Sequence, residues 1–271
     1  MILAIDFGAS STSAVLLDDR RIVLKAAAPK QLCSKKEIIA FLKRNGFNSF
    51  KIRSLALTGG RSAFFKGKIL GLKPLHVNEL DAIGLGAAYL SDSKRCLAVS
   101  MGTGTCIVLF EKGRSRHVIG TGIGGGTILG LSKILLWETG IVGLARLAKS
   151  GDFRKADLSV KEVVGKGIGL VGGEATASNL AKARGSRADV AAAIQNMVAE
   201  SVAVLSVMAS RAEKCKKIVF LGKTPQFPLV RERLLETAKC FKTSFTFPEN
   251  HSFGTAFGAA LLLERRAGPK R

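Results

Sequence analysis

Aromatic residues other than phenylalanine are almost missing from this chain, with one tryptophan and one tyrosine in 271 residues. Proline occurs only six times, and acidic residues number 20 against 42 lysines and arginines, for a formal net charge of +22. Charge of that sign admits nucleic acid, an anionic membrane or acidic small molecules as partners. The basic residues, however, are spread along the chain, never five in a row, and do not interleave with aromatics as in a base-stacking groove. Nucleic-acid binding is therefore expected only as a non-specific, salt-sensitive effect of charge. The five cysteines, Cys33, Cys96, Cys106, Cys215 and Cys240, are odd in number and form no C-x-x-C, which argues against a disulfide framework or a zinc site. Reduced thiols in a cytoplasmic protein are expected instead. No apolar run reaches the length of a membrane span, and the chain opens directly into a strand without a signal-peptide pattern, so no membrane association is expected.

Glycine is what the chain has in quantity, 30 residues. Five of the eight residues in Gly120-Thr121-Gly122-Ile123-Gly124-Gly125-Gly126-Thr127 are glycine, and an apolar stretch of helical spacing follows over 128–136. Glycine lets backbone approach a ligand closely, and a helix N-terminus offers unpaired N–H groups and a positive dipole end. The combination predicts an anion cradle, above all for phosphate.

The chain begins with a short apolar run, Ile2 to Phe7, ending at Asp6-Phe7-Gly8; a hydroxyl-rich tip, Ser10 to Ser13, then leads to a second run, Ala14 to Leu17. This reads as a hairpin whose tip can bond phosphate oxygens, with Asp6 placed to hold Mg²⁺ directly or through water. The theme returns over 96–110, where Gly102-Thr103-Gly104 forms the tip. Between the two lie a helix over 35–45, a strand over 54–58 running into Gly59-Gly60, and a short strand over 75–77. A helix over 79–89 follows, capped by Asn78, with Glu79 and Asp81 in its first turn. Carboxylates there also simply complement the helix dipole. Further on, a long helix is predicted over 188–212, a strand over 217–221 ending at Gly222-Lys223, helices over 229–240 and 253–265 with a strand over 244–247 between them, and a frayed tail over 268–271. The Gly222 turn is a common place for a base or ribose to sit. Two such hairpins in an alternating α/β chain point to two related halves, 1–92 and 93–271, clamping a nucleotide.

These pieces resemble type II pantothenate kinases, members of the actin/Hsp70/sugar-kinase superfamily. The matching segments are Ile5-Asp6-Phe7-Gly8, Leu57-Thr58-Gly59-Gly60, Glu79-Leu80-Asp81, Val99-Ser100-Met101-Gly102-Thr103-Gly104-Thr105, 120–131, Ala175-Thr176-Ala177-Ser178-Asn179 and Phe253-Gly254-Thr255-Ala256-Phe257-Gly258-Ala259, in family order. The resemblance implies two actin-like (ribonuclease H-like) α/β halves with the nucleotide in the cleft between them. It further implies ATP-dependent phosphorylation of pantothenate, Mg²⁺ and a homodimer. By carry-over, Glu79 is the catalytic base. Asp6, Gly8, Ala9, Ser10, Ser11, Thr12, Ser13, Gly102, Thr103, Gly104, Gly124, Gly125, Gly126, Thr127 and Lys223 are expected around the nucleotide, Asp6 also at the metal. Ser100, Arg116, His117, Ser178 and Asn179 are expected around the acceptor.

Three departures bear on that picture. The family has a lysine near the end of the first tip, where this chain has Ser13; Arg61, just after Gly60, is the expected substitute cation. It has an arginine just before the valine that precedes the glycine-rich loop, where this chain has His117 with Arg116 beside it; imidazole does not copy the guanidinium fork. Gly173-Glu174-Ala175 stands where the family favours Gly-Asp-Leu. The alternatives left open are a kinase of the same fold acting on pantetheine or a sugar, and an ATP-binding regulator without a small acceptor.

Overall fold

The computed structural model describes residues 1–138, 140–169 and 171–266; the tail read over 268–271 lies outside the described residues. β1 (Ile2–Phe7), β2 (Thr12–Asp18) and β3 (Arg21–Ala28) form an antiparallel meander. α1 (Lys35–Arg44) follows, its start fixed by a capping box between Ser34 and Glu37. β4 (Ser54–Thr58) then joins parallel to β1, and β5 (Leu75–His76) parallel to β4, giving the order β3-β2-β1-β4-β5. α2 (Glu79–Leu90) leads to the second sheet.

There, β6 (Arg95–Met101), β7 (Thr105–Glu111) and β8 (Arg114–Thr121) make another meander. α3 (Gly125–Leu136), α4 (Ile141–Lys149), the short β9 (Leu158–Ser159), α5 (Val160–Val164), β10 (Thr176–Ser178) and the long α6 (Arg187–Ala212) intervene. β11 (Ile218–Leu221) returns parallel to β6, α7 (Pro228–Cys240) leads to β12 (Phe245–Thr246) parallel to β11, and α8 (Gly254–Arg266) closes the chain. The order β12-β11-β6-β7-β8 is the first sheet's plan read from its other edge: a meander, then two parallel strands. The two related halves expected from the paired hairpins are thus two copies of one strand plan.

Strands β3 and β8 were not anticipated. Both are edge strands. β3 alternates exposed Arg21, Val23, Lys25 and Ala27 with partly buried neighbours, and β8 carries Arg114, Ser115, Arg116 and His117, so neither shows an apolar run. A consequence is that Gly120 and Thr121, read as loop, end β8, and the glycine turn is only Gly122-Ile123-Gly124. α6 also corrects the expectation that no segment has membrane-span character. By length and composition Arg187–Ala212 qualifies, but 67% of its most apolar window is buried inside the fold, as in a core helix.

The halves exchange helices. α2 packs on β6, β7 and β8 of the second sheet, α8 packs on β1, β2 and β4 of the first, and the two helices pack on each other. Only small residues allow that crossing. A Cβ on Gly86 would lie 2.1 Å from the Gly254 carbonyl oxygen, and one on Gly258 would lie 1.9 Å from that of Ala82. Gly258→Val must therefore push the helices apart and with them the two sheets. Overpacking of this kind costs about 2–3 kcal/mol, or ~5–10 °C in Tm for a chain of this size. Thermal unfolding checks it, and a Tm within 1 °C of wild type contradicts the tight crossing.

Candidate active site

Asp6 stands next to the end of β1, and the tip that follows, residues 8–11, meets the second half of the chain. Gly59, at the end of β4, has φ +88°, and a Cβ there would lie 2.5 Å from the Phe7 carbonyl oxygen and 2.6 Å from Asp6 Oδ1. Glycine is thus required for β4 to turn beside the carboxylate. Asp6 Oδ1 is enclosed yet has no hydrogen-bond partner among the described residues. Its carboxyl is pushed up from 3.8 to about 7 by burial first, then by Glu79, with Lys223 opposing.

The tip divides into two kinds of residue. Gly8, Ala9, Ser10 and Ser11 are open or half-buried. Thr12 and Ser13 already belong to β2 and are buried; Thr12 Oγ1 accepts from Leu32 N at 3.0 Å, and Ser13 sits opposite Asp6 in register. The Thr12 hydroxyl therefore ties β2 to Leu32, while Ser13 stands on the same face of the sheet as Asp6, because the strand resumes earlier than the run of hydroxyl residues suggests. Arg61, the expected substitute cation, is engaged beside the tip and not at the tip contact itself. Its guanidinium donates to Gln31 Oε1 at 2.7 Å and lies over Phe64, while Gln31 Nε2 donates to the Gly8 carbonyl at 3.1 Å. Arg61 therefore steadies the tip through Gln31, a residue that no sequence motif marks.

The second hairpin overturns the reading of the glycine-rich stretch as an open N–H cradle. Gly125 N donates to the Gly102 carbonyl and Gly126 N to that of Thr103, both at 2.8 Å. Gly124 N donates to Thr127 Oγ1 at 3.2 Å, and the Thr127 and Ile128 amides turn back to the Gly124 carbonyl. A Cβ on Gly124 would lie 2.7 Å from the Thr103 carbonyl oxygen, and one on Gly126 would lie 2.7 Å from Thr103 Cγ2. The glycines are there so that two stretches of backbone can touch. Their amides hold the tip 102–104 instead of waiting for an anion. Thr224 adds a third tie, Oγ1 to the Gly102 carbonyl at 2.8 Å.

The two tips meet. Ser10 Oγ and Thr103 Oγ1 are 2.8 Å apart, and Lys223 Nζ donates to Ser11 Oγ at 2.8 Å. Asn78 caps α2 by accepting from Leu80 N and Asp81 N, which sets Glu79 at the helix start facing Asp6 and Cys106. Glu79 is open to solvent on one side, but the protein packed behind it raises its carboxyl by desolvation. The Cys106 thiol is pushed up to about 11, by burial and then by Glu79. Burial lowers the Lys223 ammonium while Asp6 holds it up. Two carboxyls that resist ionisation and one lysine that resists protonation thus share one neighbourhood, as functional clefts arrange them. Ser100 lies opposite Cys106 in register, on that same face.

Other expected residues are placed elsewhere. Arg116 and His117 are neighbours on β8 and point to opposite faces. His117 pairs in register with Val108, on the face that α2 covers, and Arg116 pairs with Leu109. Arg116 is ion-paired with Glu213 at 2.6 Å, at the end of α6, and is not an acceptor contact here. Asn179 donates to Asp157 at 3.4 Å, beside exposed Ser178. Asp157 also accepts from Asn196, which bonds Thr176, Glu200 and Arg233. That network fastens the β9–β10 segment to α6 and α7, so Asn179 serves it rather than the cleft.

A family profile described as Fumble matches residues 92–260. A type II pantothenate kinase of Oceanobacillus iheyensis is 30% identical over 272 residues, covering 96% of this chain and 98% of that protein. An activator of the 2-hydroxyisocaproyl-CoA dehydratase from Clostridium difficile, solved with bound ADPNP, matches with TM-score 0.67 at 15% identity, over 100% of this chain and 98% of its own. A ROK family glucokinase of Streptomyces griseus, solved with glucose and AMPPNP, matches with TM-score 0.58 at 15% identity, over 96% and 98%. At those identities the two structures show a shared actin-like, sugar-kinase fold and nothing of substrate.

Proposed function

The chain belongs to the type II pantothenate kinase family, and on that premise we propose that it transfers the γ-phosphoryl group of ATP to the primary hydroxyl of pantothenate. The product is 4′-phosphopantothenate, formed in the first step of coenzyme A biosynthesis. The observation that carries the reading is the meeting of Asp6, Glu79 and Lys223 where the two hairpin tips touch.

Glu79 is the base. It accepts the hydroxyl proton as the new O–P bond forms and the bond to the β-phosphate oxygen breaks, releasing ADP. A carboxyl held above its ordinary range takes a proton more readily, and its place at a helix start fixes its direction. Asp6 would hold Mg²⁺: its enclosed, unpartnered Oδ1 is a hard oxygen donor beside the phosphate site, and one or two carboxylates with phosphate oxygens make the usual magnesium set. When bound, the ion neutralises charge on the phosphates. Ser10, Ser11 and Thr103 offer hydroxyls to the phosphate oxygens. Ser100 and His117, on the face of the second sheet that α2 covers, are assigned to the acceptor. The first half supplies Asp6 and Glu79, the second supplies Lys223, Thr103 and the acceptor face. A homodimer is supported by the exposed apolar corner of Ile134, Trp137, Ile141 and Val142, where Trp137 is 88% exposed. A cytoplasmic location fits the five free cysteines.

The test is phosphoryl transfer from ATP with pantothenate, pantetheine and several sugars in parallel. Pantothenate-dependent ADP release with a matching phosphorylated product is expected. Product only with another acceptor keeps the kinase and moves the substrate, with His117 the first residue to replace.

A further inference from the structure

We propose that Lys223 reads the transferable phosphoryl group: the second half presents it across the cleft, and it rests on Ser11 of the first half until a nucleoside triphosphate takes it over. This rests on the nucleotide site assigned above and gives one residue there a role that the sequence reading did not. The resemblance places Lys223 among the nucleotide contacts only, after a turn where a base or ribose commonly sits. Its ammonium lies at the other end, on the first hairpin tip, 2.8 Å from Ser11 Oγ.

The root of the side chain is fixed to the second half. Gly222 has φ +95°, its N–H donates to the His251 carbonyl at 3.0 Å, and a Cβ on it would lie 2.3 Å from the Met101 carbonyl oxygen. On the other side Thr224 is tied to the Gly102 carbonyl. Lys223 therefore leaves from a rigid point beside the second tip and ends on the first. Together with the Ser10–Thr103 contact it joins the two halves directly over the cleft.

The ammonium is also under-satisfied. It has three donors, and one goes to a neutral hydroxyl. Asp6 attracts it, but the two form no direct ion pair among the described residues. A half-buried charge held this way is costly until an anion completes it. The amides of Gly124, Gly125 and Gly126 are bonded within the protein and Arg61 reaches Gln31, whereas Lys223 already sits where the two tips touch. A lysine that bridges the halves at the first hairpin tip, on Ser11, meets the terminal phosphate rather than the base. A cation set on developing phosphoryl charge typically contributes about 10²–10³ in rate.

Calorimetric binding of ATP, ADP and AMP to wild type, Lys223→Met and Lys223→Arg tests this without any acceptor. Lys223→Met is expected to weaken ATP at least tenfold while ADP and AMP stay within about threefold, and Lys223→Arg to recover most of the difference. In the acceptor assay Lys223→Met should lower kcat about 100-fold with an unchanged melting temperature. Equal weakening of ATP and AMP would place Lys223 at the base or ribose, or in the fold, and overturn the proposal. Unchanged ATP affinity would do the same. If wild type binds ATP in preference to AMP but phosphorylates no acceptor, the kinase assignment fails and the binding series still decides the role of Lys223.

Discussion

Glu79→Gln is expected to lower kcat by about 10³ while leaving the ATP KM within threefold of wild type. The amide keeps the size and hydrogen-bonding reach of the carboxyl but cannot take the hydroxyl proton, and general-base catalysis contributes about 10²–10⁴. The fold should be indifferent, because α2 is capped by Asn78 and not by Glu79. Only a first-turn charge is lost, worth under about 1 kcal/mol. The pH profile makes the prediction sharper. Glu79 must be ionised to act, and desolvation raises its carboxyl above the ordinary range. The wild-type rate should thus rise with pH through a value above that range, and the residual rate of Glu79→Gln should lose the part of this limb that Glu79 carries and keep the part that Asp6, itself raised to about 7, carries. Steady-state kinetics from pH 5 to 9 on both proteins measures it. A kcat within tenfold of wild type, or an acid limb identical in the two proteins, removes Glu79 from the role of base.

Asp6→Asn separates activity from stability in opposite directions. Activity should fall by at least 10³, because the amide is a poor magnesium ligand and magnesium carries much of the phosphate charge. Stability of the nucleotide-free protein should increase at alkaline pH. Folding lifts the Asp6 carboxyl from 3.8 to about 7, mainly by burial, so the fold favours its neutral form. For a raised carboxyl the stability contribution is fully present below the unfolded value and is lost as pH rises through the folded value. Between about pH 4 and 7 the wild type therefore loses stability at this residue, the loss being complete above the folded value, and the uncharged amide does not lose it. Asp6 opens partly to the cleft, and Lys223 loses a counter-charge in the variant. The gain at pH 8 is then on the order of 1 kcal/mol, about 2–4 °C in Tm, and shrinks toward zero as pH falls to about 4. Melting curves at pH 4 and pH 8 without nucleotide are the check. A variant less stable than wild type at pH 8 contradicts an under-ionised Asp6.

Much of the plan was legible because it is local. The strands of each hairpin core, Ile2–Phe7 and Arg95–Met101, are apolar runs that punctuate themselves with Asp or Ser and Gly. Asn78 before Glu79 marks a helix start by its own chemistry, and the repetition of one hairpin theme carries the two-halves architecture. The class of reaction followed from the order of motifs, and relatives along nearly the whole chain agree with it.

Tertiary structure decided what depends on who stands opposite whom. Edge strands β3 and β8 were invisible because one solvated face breaks the apolar pattern. Five glycines announce close approach but do not say to what; the partner proved to be the backbone of Thr103 and its neighbours, which consumes the amides that seemed reserved for phosphate. Arg116 and His117 are adjacent in sequence, yet strand geometry sends them to opposite faces and leaves Arg116 with Glu213. Lys223 and Ser11 are 212 residues apart, and only the pairing of the two tips brings the ammonium onto the first hairpin tip. Sequence determines the local chemistry of each hairpin and cap because those interactions span a few residues. The site itself is made of contacts between halves, which exist only once the small-residue crossing of α2 and α8 has set the two sheets against each other.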